Sequence, residues 1–233
     1  MPLGRYVLFL EDSVKYFRHL KQDIQAVLAR DPAARNALEV WICYNGFKAI
    51  RSYRRAHAFW THGFKTIGRM ISQRCARRTG IEIHPAAQIG DSLFIDHGHG
   101  VVIGETSIIG DNVTLYQGVT LGGTGKDVGK RHPTIGNNVM IGAGAKILGP
   151  LIIGDNSKVG AGAVVIKDVP PNCTVVGIPG RIVRRNAEPV SGPDLNQIDL
   201  PDPVADRLQD LTDKMENLQH IIDLLESNQH DIQ

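Results

Sequence analysis

Residues 135–165 read IGNNVMIGAGAKILGPLIIGDNSKVGAGAVV, with an aliphatic residue at every sixth place: Ile135, Ile141, Ile147, Ile153, Val159 and Val165. The same period runs upstream through Ile83, Ile89 and Ile95, then through Ile103, Ile109, Leu115 and Leu121. Glycine follows the aliphatic residue at 90, 104, 110, 122, 136, 142, 154 and 160, as suits tight corners where a side chain would crowd the turn or φ is positive. Six residues per short strand and corner give about eighteen per triangular coil, with the aliphatic residues stacked inside as a ladder. A βαβ sheet would need crossover helices of about ten residues between strands, and the segment has no room for them. The expected fold is therefore mainly β, a parallel β-helix of hexapeptide repeats over residues 81–185.

Outside this segment the period changes. Val14, Phe17, Leu20, Ile24 and Val27 recur at helical spacing, as do Phe47, Ile50, Tyr53, His57, Trp60, Phe64, Ile67 and Ile71. They predict two amphipathic helices in an α-helical N-terminal domain, residues 1–80. Beyond the coil, Pro189, Pro193, Pro201 and Pro203 mark residues 186–203 as an extended linker. Val204, Leu208, Leu211, Met215, Leu218, Ile222 and Leu225 then alternate four- and three-residue steps, a heptad seam in a C-terminal amphipathic helix and tail, residues 204–233. A coiled coil and a helix docked on the body explain that seam equally.

The chain has 233 residues, enough to bury a core without cross-links, and a formal net charge of +2. That surplus is too small for an electrostatic footprint on nucleic acid or an anionic membrane, so any anion binding must be local. Cys43, Cys75 and Cys173 are odd in number and show no CxxC pairing, which fits a reducing cytoplasm rather than a disulfide framework or a zinc site. Tyr6 to Leu10 is apolar but is followed at once by Glu11 and Asp12, unlike a signal peptide, and no stretch reaches the roughly eighteen apolar residues of a membrane span.

The six-residue period breaks twice, between Ile95 and Ile103 and between Leu121 and Ile135. The insertions hold Asp96-His97-Gly98-His99-Gly100, and Gly122-Gly123-Thr124-Gly125-Lys126 through Lys130-Arg131-His132-Pro133. Loops on a rigid scaffold are where function usually sits. His97 and His132 are the candidate proton acceptors, to be joined in one cleft by stacked coils or by neighbouring subunits.

Read in order, GIEIHPAA, DHGHGVVIGET, VTLGGTG and KRHP, with Asp23-Ile-Gln-Ala-Val and Arg30-Asp31-Pro32 upstream and Val176-Gly-Ile-Pro-Gly-Arg-Ile-Val183 downstream, closely resemble the serine O-acetyltransferase family over roughly residues 20–185. The resemblance implies a left-handed coil, against the usual right-handed crossover rule, and acetyl transfer from acetyl-CoA to the hydroxyl of L-serine, the first step of cysteine biosynthesis. It makes His97 the general base, oriented by Glu82, a position where the family often has Asp. Asp31 and Asp96 would hold the serine ammonium, Arg131 its carboxylate and His132 the side-chain end, with Glu105 in support. Gly123 would donate its amide to the oxyanion. Gly123, Thr124, Gly142, Ala143, Gly160 and Ala161 would line the path of CoA, with Lys158, Lys167, Arg181, Arg184 and Arg185 as the candidates to meet its phosphates.

The resemblance also implies a homotrimer and inhibition by L-cysteine, which carries serine's ammonium and carboxylate. The region before Asp31 is short for the family, so a lone trimer is expected and a hexamer is the alternative. Docking to cysteine synthase is not expected, since the tail reads Asp231-Ile232-Gln233 without a terminal isoleucine. No metal is expected. Two other enzymes share such a scaffold: an acetyltransferase for a sugar or xenobiotic, against which Asp31, Asp96 and Arg131 argue, and a zinc enzyme of the γ-carbonic anhydrase kind. A non-catalytic scaffold would be indifferent to loss of His97.

Overall fold

The structure, a computed structural model, describes residues 3–125, 128–185 and 203–230. Residues 1–199 form one compact unit and residues 200–233 a second. The first opens with four helices, α1 (Leu3–Arg30), α2 (Ala37–Cys43), α3 (Asn45–Thr61) and α4 (Lys65–Thr79). The apolar run from Phe47 to Ile71 is thus two helices and not the single one expected from its spacing. It breaks at Gly63, whose φ of +89° only glycine adopts cheaply. Gly80, with φ of +71°, ends α4 in a left-handed cap and turns the chain into the coil.

Among the described residues fifteen strands follow, fourteen of them forming three parallel faces. The first face stacks β1 (Glu82–Ile83), β4 (Val102–Ile103), β7 (Thr120–Gly122), β10 (Lys146–Leu148) and β13 (Val164–Val165). The second stacks β2 (Gln88–Ile89), β5 (Ile108–Ile109), β8 (Thr134–Ile135) and β11 (Ile152–Ile153). The third stacks β3 (Phe94–Ile95), β6 (Thr114–Leu115), β9 (Met140–Ile141), β12 (Lys158–Val159) and β14 (Thr174–Val176). Register puts the six-residue aliphatics into three ladders, Ile83–Ile103–Leu121–Ile147–Val165, Ile89–Ile109–Ile135–Ile153 and Ile95–Leu115–Ile141–Val159–Val175. Nearly every rung is buried. Leu93, Val113 and Val139, each two places before a rung, fill the interior between ladders, where burying each removes apolar surface from water.

A third irregularity closes the coil: sixteen residues separate Ile153 from its partner Val169, where eighteen separate Ile135 from Ile153. Beyond it β15 (Arg181–Arg184) folds back antiparallel on β14. Where the second face turns into the third, Asn112, Asn138, Asn156 and Asn172 all take φ near +57°, a conformation asparagine tolerates better than most residues. The side-chain amides of Asn138, Asn156 and Asn172 bond in series along the axis at 3.1 Å.

Polar side chains tie the helices to the coil. Tyr53 Oη donates to Ala87 O at 2.6 Å and Ser72 Oγ to Ile83 O at 2.6 Å. Arg54 forks onto Asp23 at 2.7 and 2.9 Å and also donates to Gly90 O. Arg30 donates to the carbonyls of Ser92 and Val113.

Among its described residues the second unit is one helix, α5 (Pro203–His230). Pro203, expected to end the linker, instead opens this helix, where a missing N–H costs nothing. Residues 186–202, the rest of that linker, and the tail at 231–233 lie outside the described residues. Leu208, Leu211, Met215 and Leu218 of the heptad seam are all exposed. No helix among the described residues is long and apolar enough to cross a membrane.

Candidate active site

The expected site residues fall at two different corners of the triangular coil. His97 follows β3, where the third face turns into the first. Its backbone holds φ of +55° between Asp96 and Gly98, a left-handed conformation costing about 1–2 kcal/mol in a residue with a Cβ, and strain of this kind gathers at functional sites. Its side chain is 75% exposed, and Nε2 lies 3.9 Å from Asp96 Oδ1. Glu82, on β1 of the adjoining face, is half-buried and registered against Val102. The carboxylate paired with His97 among the described contacts is that of Asp96.

The helices bring Asp31 to this corner. Asp31 closes α1 and accepts from the Ala33 amide at 2.8 Å, and burial, then the Asp31 carboxylate, pushes Tyr44 up to about 12. Gly46 permits the approach, since a Cβ there would stand 2.0 Å from the carbonyl oxygen of Ile95, the residue before Asp96. Burial raises the pKa of Asp96, and the charge of Asp31 raises it further, against His97 and its amide. The charges of Asp31 and Asp96 act on one another beside an exposed imidazole, a corner that attracts a cation.

The same corner continues up the coil. Gly100, Gly118, Gly144 and Gly162 donate in turn to Gly80, His99, Gln117 and Ala143, each at 2.8 Å. Gly142, Ala143, Gly160 and Ala161 therefore stack in register above His97. A Cβ on Gly142 would come within 2.6 Å of the Ala161 amide, so coil packing by itself demands glycine there.

Glu105, Gly123, Thr124, Arg131 and His132 lie at the next corner, where the first face turns into the second. Arg131 Nη2 donates to Glu105 Oε2 at 2.6 Å, which lowers the pKa of Glu105. His132 is buried, and its Nδ1 accepts from the Thr106 amide at 3.2 Å, with the Thr106 hydroxyl 2.9 Å away. That hydroxyl oxygen also accepts from the amides of Arg131 and His132. With Nδ1 committed as acceptor, the neutral ring carries its proton on Nε2. Burial and then Arg131 lower the pKa of His132, which keeps the ring neutral. Nε2 occupies space that two glycines vacate: a Cβ on Gly104 would lie 2.1 Å from it, and one on Gly123 3.0 Å.

Three residues of this corner stand inside the quoted motifs without an expected role. Thr106 holds the imidazole. Lys130 donates to the carbonyls of Thr106 and His132 at 2.8 and 2.6 Å, pinning the second insertion to the coil. His84, at the same corner one coil earlier, accepts a hydrogen bond at Nδ1 from the Ala86 amide and packs edge-on to Trp60. Burial, then Arg69, brings its pKa down to about 4. Lys167 is exposed and sits on this second corner, while Lys158 is half-buried on the third face. Lys158 lies on β12, two residues before Gly160.

The family model described as "Serine acetyltransferase, N-terminal" matches residues 6–52, and that described as "Bacterial transferase hexapeptide (six repeats)" matches residues 132–167. The serine acetyltransferase of Bacillus pumilus is 55% identical over 203 residues, covering 87% of this chain and 93% of its own. That of Bacillus subtilis is 56% identical over 196 residues, covering 84% and 90%. Among solved structures, Neisseria gonorrhoeae serine acetyltransferase in complex with serine aligns with a TM-score of 0.71 at 43% identity, over 73% of this chain and 70% of that one. A serine acetyltransferase in complex with cysteine aligns with a TM-score of 0.78 at 41% identity, over 82% and 74%. The coil is a left-handed parallel β-helix of hexapeptide repeats, and the chain belongs to the serine acetyltransferase family.

Proposed function

We propose that this acetyl-CoA-dependent enzyme transfers acetyl to the hydroxyl of L-serine in a cleft that takes one corner from each of two neighbouring subunits, with His97 as the general base. The observation that carries the reading is the Asp31–Asp96 pair beside the strained, exposed His97. The carboxylates take the serine ammonium and leave its hydroxyl toward the imidazole. His97 removes the hydroxyl proton as the oxygen attacks the thioester carbonyl, and the Gly123 amide and the Nε2 proton of His132 face the negative charge that develops. The carbon–sulfur bond then breaks, the proton on His97 passes to the departing sulfur, and CoA leaves as the thiol. Arg131 meets the serine carboxylate as a fork of donors, with Glu105 fixing its orientation. Glu82 orients the base from β1.

One coil carries His97 and Arg131 on different corners, so a threefold assembly that sets the first corner of one subunit against the second corner of the next completes the site. The exposed heptad seam of α5 supports the same trimer. L-Cysteine, sharing serine's ammonium and carboxylate, competes for the pocket of Asp31, Asp96 and Arg131.

The test is free-thiol release from acetyl-CoA by the purified protein, with serine and a panel of other acceptors. Serine-dependent release that His97→Ala abolishes supports the reading, while release with another acceptor alone replaces the substrate. Mixing His97→Ala with Arg131→Ala, unfolding and reassembling the two, restores part of the activity if the halves come from different subunits. No recovery means that each chain builds its own site.

A further inference from the structure

A second concentration of charge lies away from both corners, in a cavity of about 640 Å³ between α3 and α4. Lys48, Arg51 and Arg55 line it from α3, and Arg74 and Arg78 from α4, with no acidic residue in the lining. Arg51 and Arg55, like Arg74 and Arg78, stand four residues apart on one helix, where like charges destabilise each other. Among the described residues none of the five pairs with a carboxylate. Five unneutralised cations in one cleft are far out of proportion to a chain whose formal net charge is +2.

Arg51 is held in place without being satisfied. Its guanidinium lies over the Trp41 ring at 4.2 Å from the centroid, yet Nε is buried with no hydrogen-bond partner. A buried donor left unmade costs about 1–3 kcal/mol unless a ligand or water takes it. Phe59 and Ile71 give the cavity an apolar wall, which lowers the local dielectric and strengthens any ion pair formed there. The site is rigid, because α4 is fixed to the coil by Ser72 and α3 by Tyr53 and Arg54.

We propose that this cleft is a binding site for a small multivalent oxyanion of the phosphate or pyrophosphate class, separate from the acetyl-transfer site. The bound anion bridges α3 and α4, accepting from the Arg51 side chain within and from Arg55, Arg74 and Arg78 at the rim. The cations repel one another when the site is empty and become mutually compatible when it is filled.

The test is the melting temperature of the full chain in sodium pyrophosphate against sodium chloride of equal ionic strength, for wild type and for an Arg55→Gln/Arg74→Gln/Arg78→Gln variant. All three side chains are exposed, so neutralising them leaves packing intact. Pyrophosphate is expected to raise the wild-type melting temperature above the chloride control. The variant is expected to lose that excess, and to melt higher than wild type in chloride because repulsion is relieved. An equal excess in both proteins, or none in wild type, overturns the proposal. Repeating the titration with saturating CoA separates the cleft from the co-substrate site: an excess that persists supports the cleft, and one that vanishes assigns the anion to the CoA phosphates and overturns it.

Discussion

Thr106 and His132 are joined twice through one ring nitrogen: the Thr106 amide donates to Nδ1 at 3.2 Å and the Thr106 hydroxyl lies 2.9 Å from it. The threonine thereby decides which nitrogen of His132 carries the proton. Thr106→Val keeps the shape but removes the hydroxyl, and with it the anchor for the amides of Arg131 and His132. About tenfold lower kcat/KM for serine is expected, with KM for acetyl-CoA nearly unchanged, since a hydrogen bond of this kind is worth about 1–1.5 kcal/mol. Steady-state kinetics with each substrate varied in turn makes the check. Thr106→Ser, which keeps the hydroxyl, should recover most of the loss.

Gly46→Ala puts a methyl group 2.0 Å from the carbonyl oxygen of Ile95. Neither α3 nor the coil can yield cheaply, because the nearest atom is backbone. Overpacking of this sort costs about 1–3 kcal/mol. The displacement also shifts Asp96 and His97, the next residues along, and misplacement by about 1 Å lowers the rate on the order of a hundredfold. Urea unfolding beside an acetyl-transfer assay should show both losses. Stability lost with activity intact would mean that helix position does not set the site.

His84 and His132 bind a proton less readily in the folded chain than in the unfolded one, because burial lowers both pKa values. The unfolded state therefore takes up more protons as pH falls below about 6.5, and stability falls with it. For His84 the loss runs from about 6.5 down to about 4. His84→Asn keeps an acceptor for the Ala86 amide but cannot titrate. The prediction is a flatter decline in melting temperature over that pH window for the variant than for wild type, while an identical slope would assign the effect elsewhere.

The Arg54–Asp23 pair is buried, with side chains 7% and 0% exposed. Removing one partner strands the other charge, so Asp23→Ala should cost about 3–5 kcal/mol, while Asp23→Leu combined with Arg54→Met should cost much less. Chemical denaturation of single and double variants gives the coupling. Equal losses in both would show that Arg54 acts mainly through the Gly90 carbonyl.

The ladder of the coil was legible because the β-helix writes its core into a fixed sequence period, so Ile83 through Val165 could be placed without knowing any contact. The helical break at Gly63 was not, since apolar spacing from Phe47 to Ile71 continues across it and the positive φ leaves no trace in composition. Candidate site residues could be proposed by position along the chain but not assigned to a corner. Whether Arg131 shares an edge with His97 depends on counting strands in threes through two insertions, and the faces separate them. Thr106 and Lys130 stood inside quoted motifs without a role, because their importance lies in the atoms they hold, and a hydroxyl or ammonium bonded to a neighbouring loop has no sequence signature.

The antiparallel return of β15 onto β14 has a meaning for the molecule's behaviour at high concentration. A parallel coil is a stack that any further turn could extend, and its last rung offers a ready template for strands of another copy. β15 runs the wrong way to continue the stack and takes up the template with its own chain. At the other end, Tyr53 and Ser72 occupy carbonyls of the first turn. The third face is therefore closed at its last rung by its own chain, and two carbonyls of the first turn are taken by helix side chains, so copies cannot join end to end through these positions.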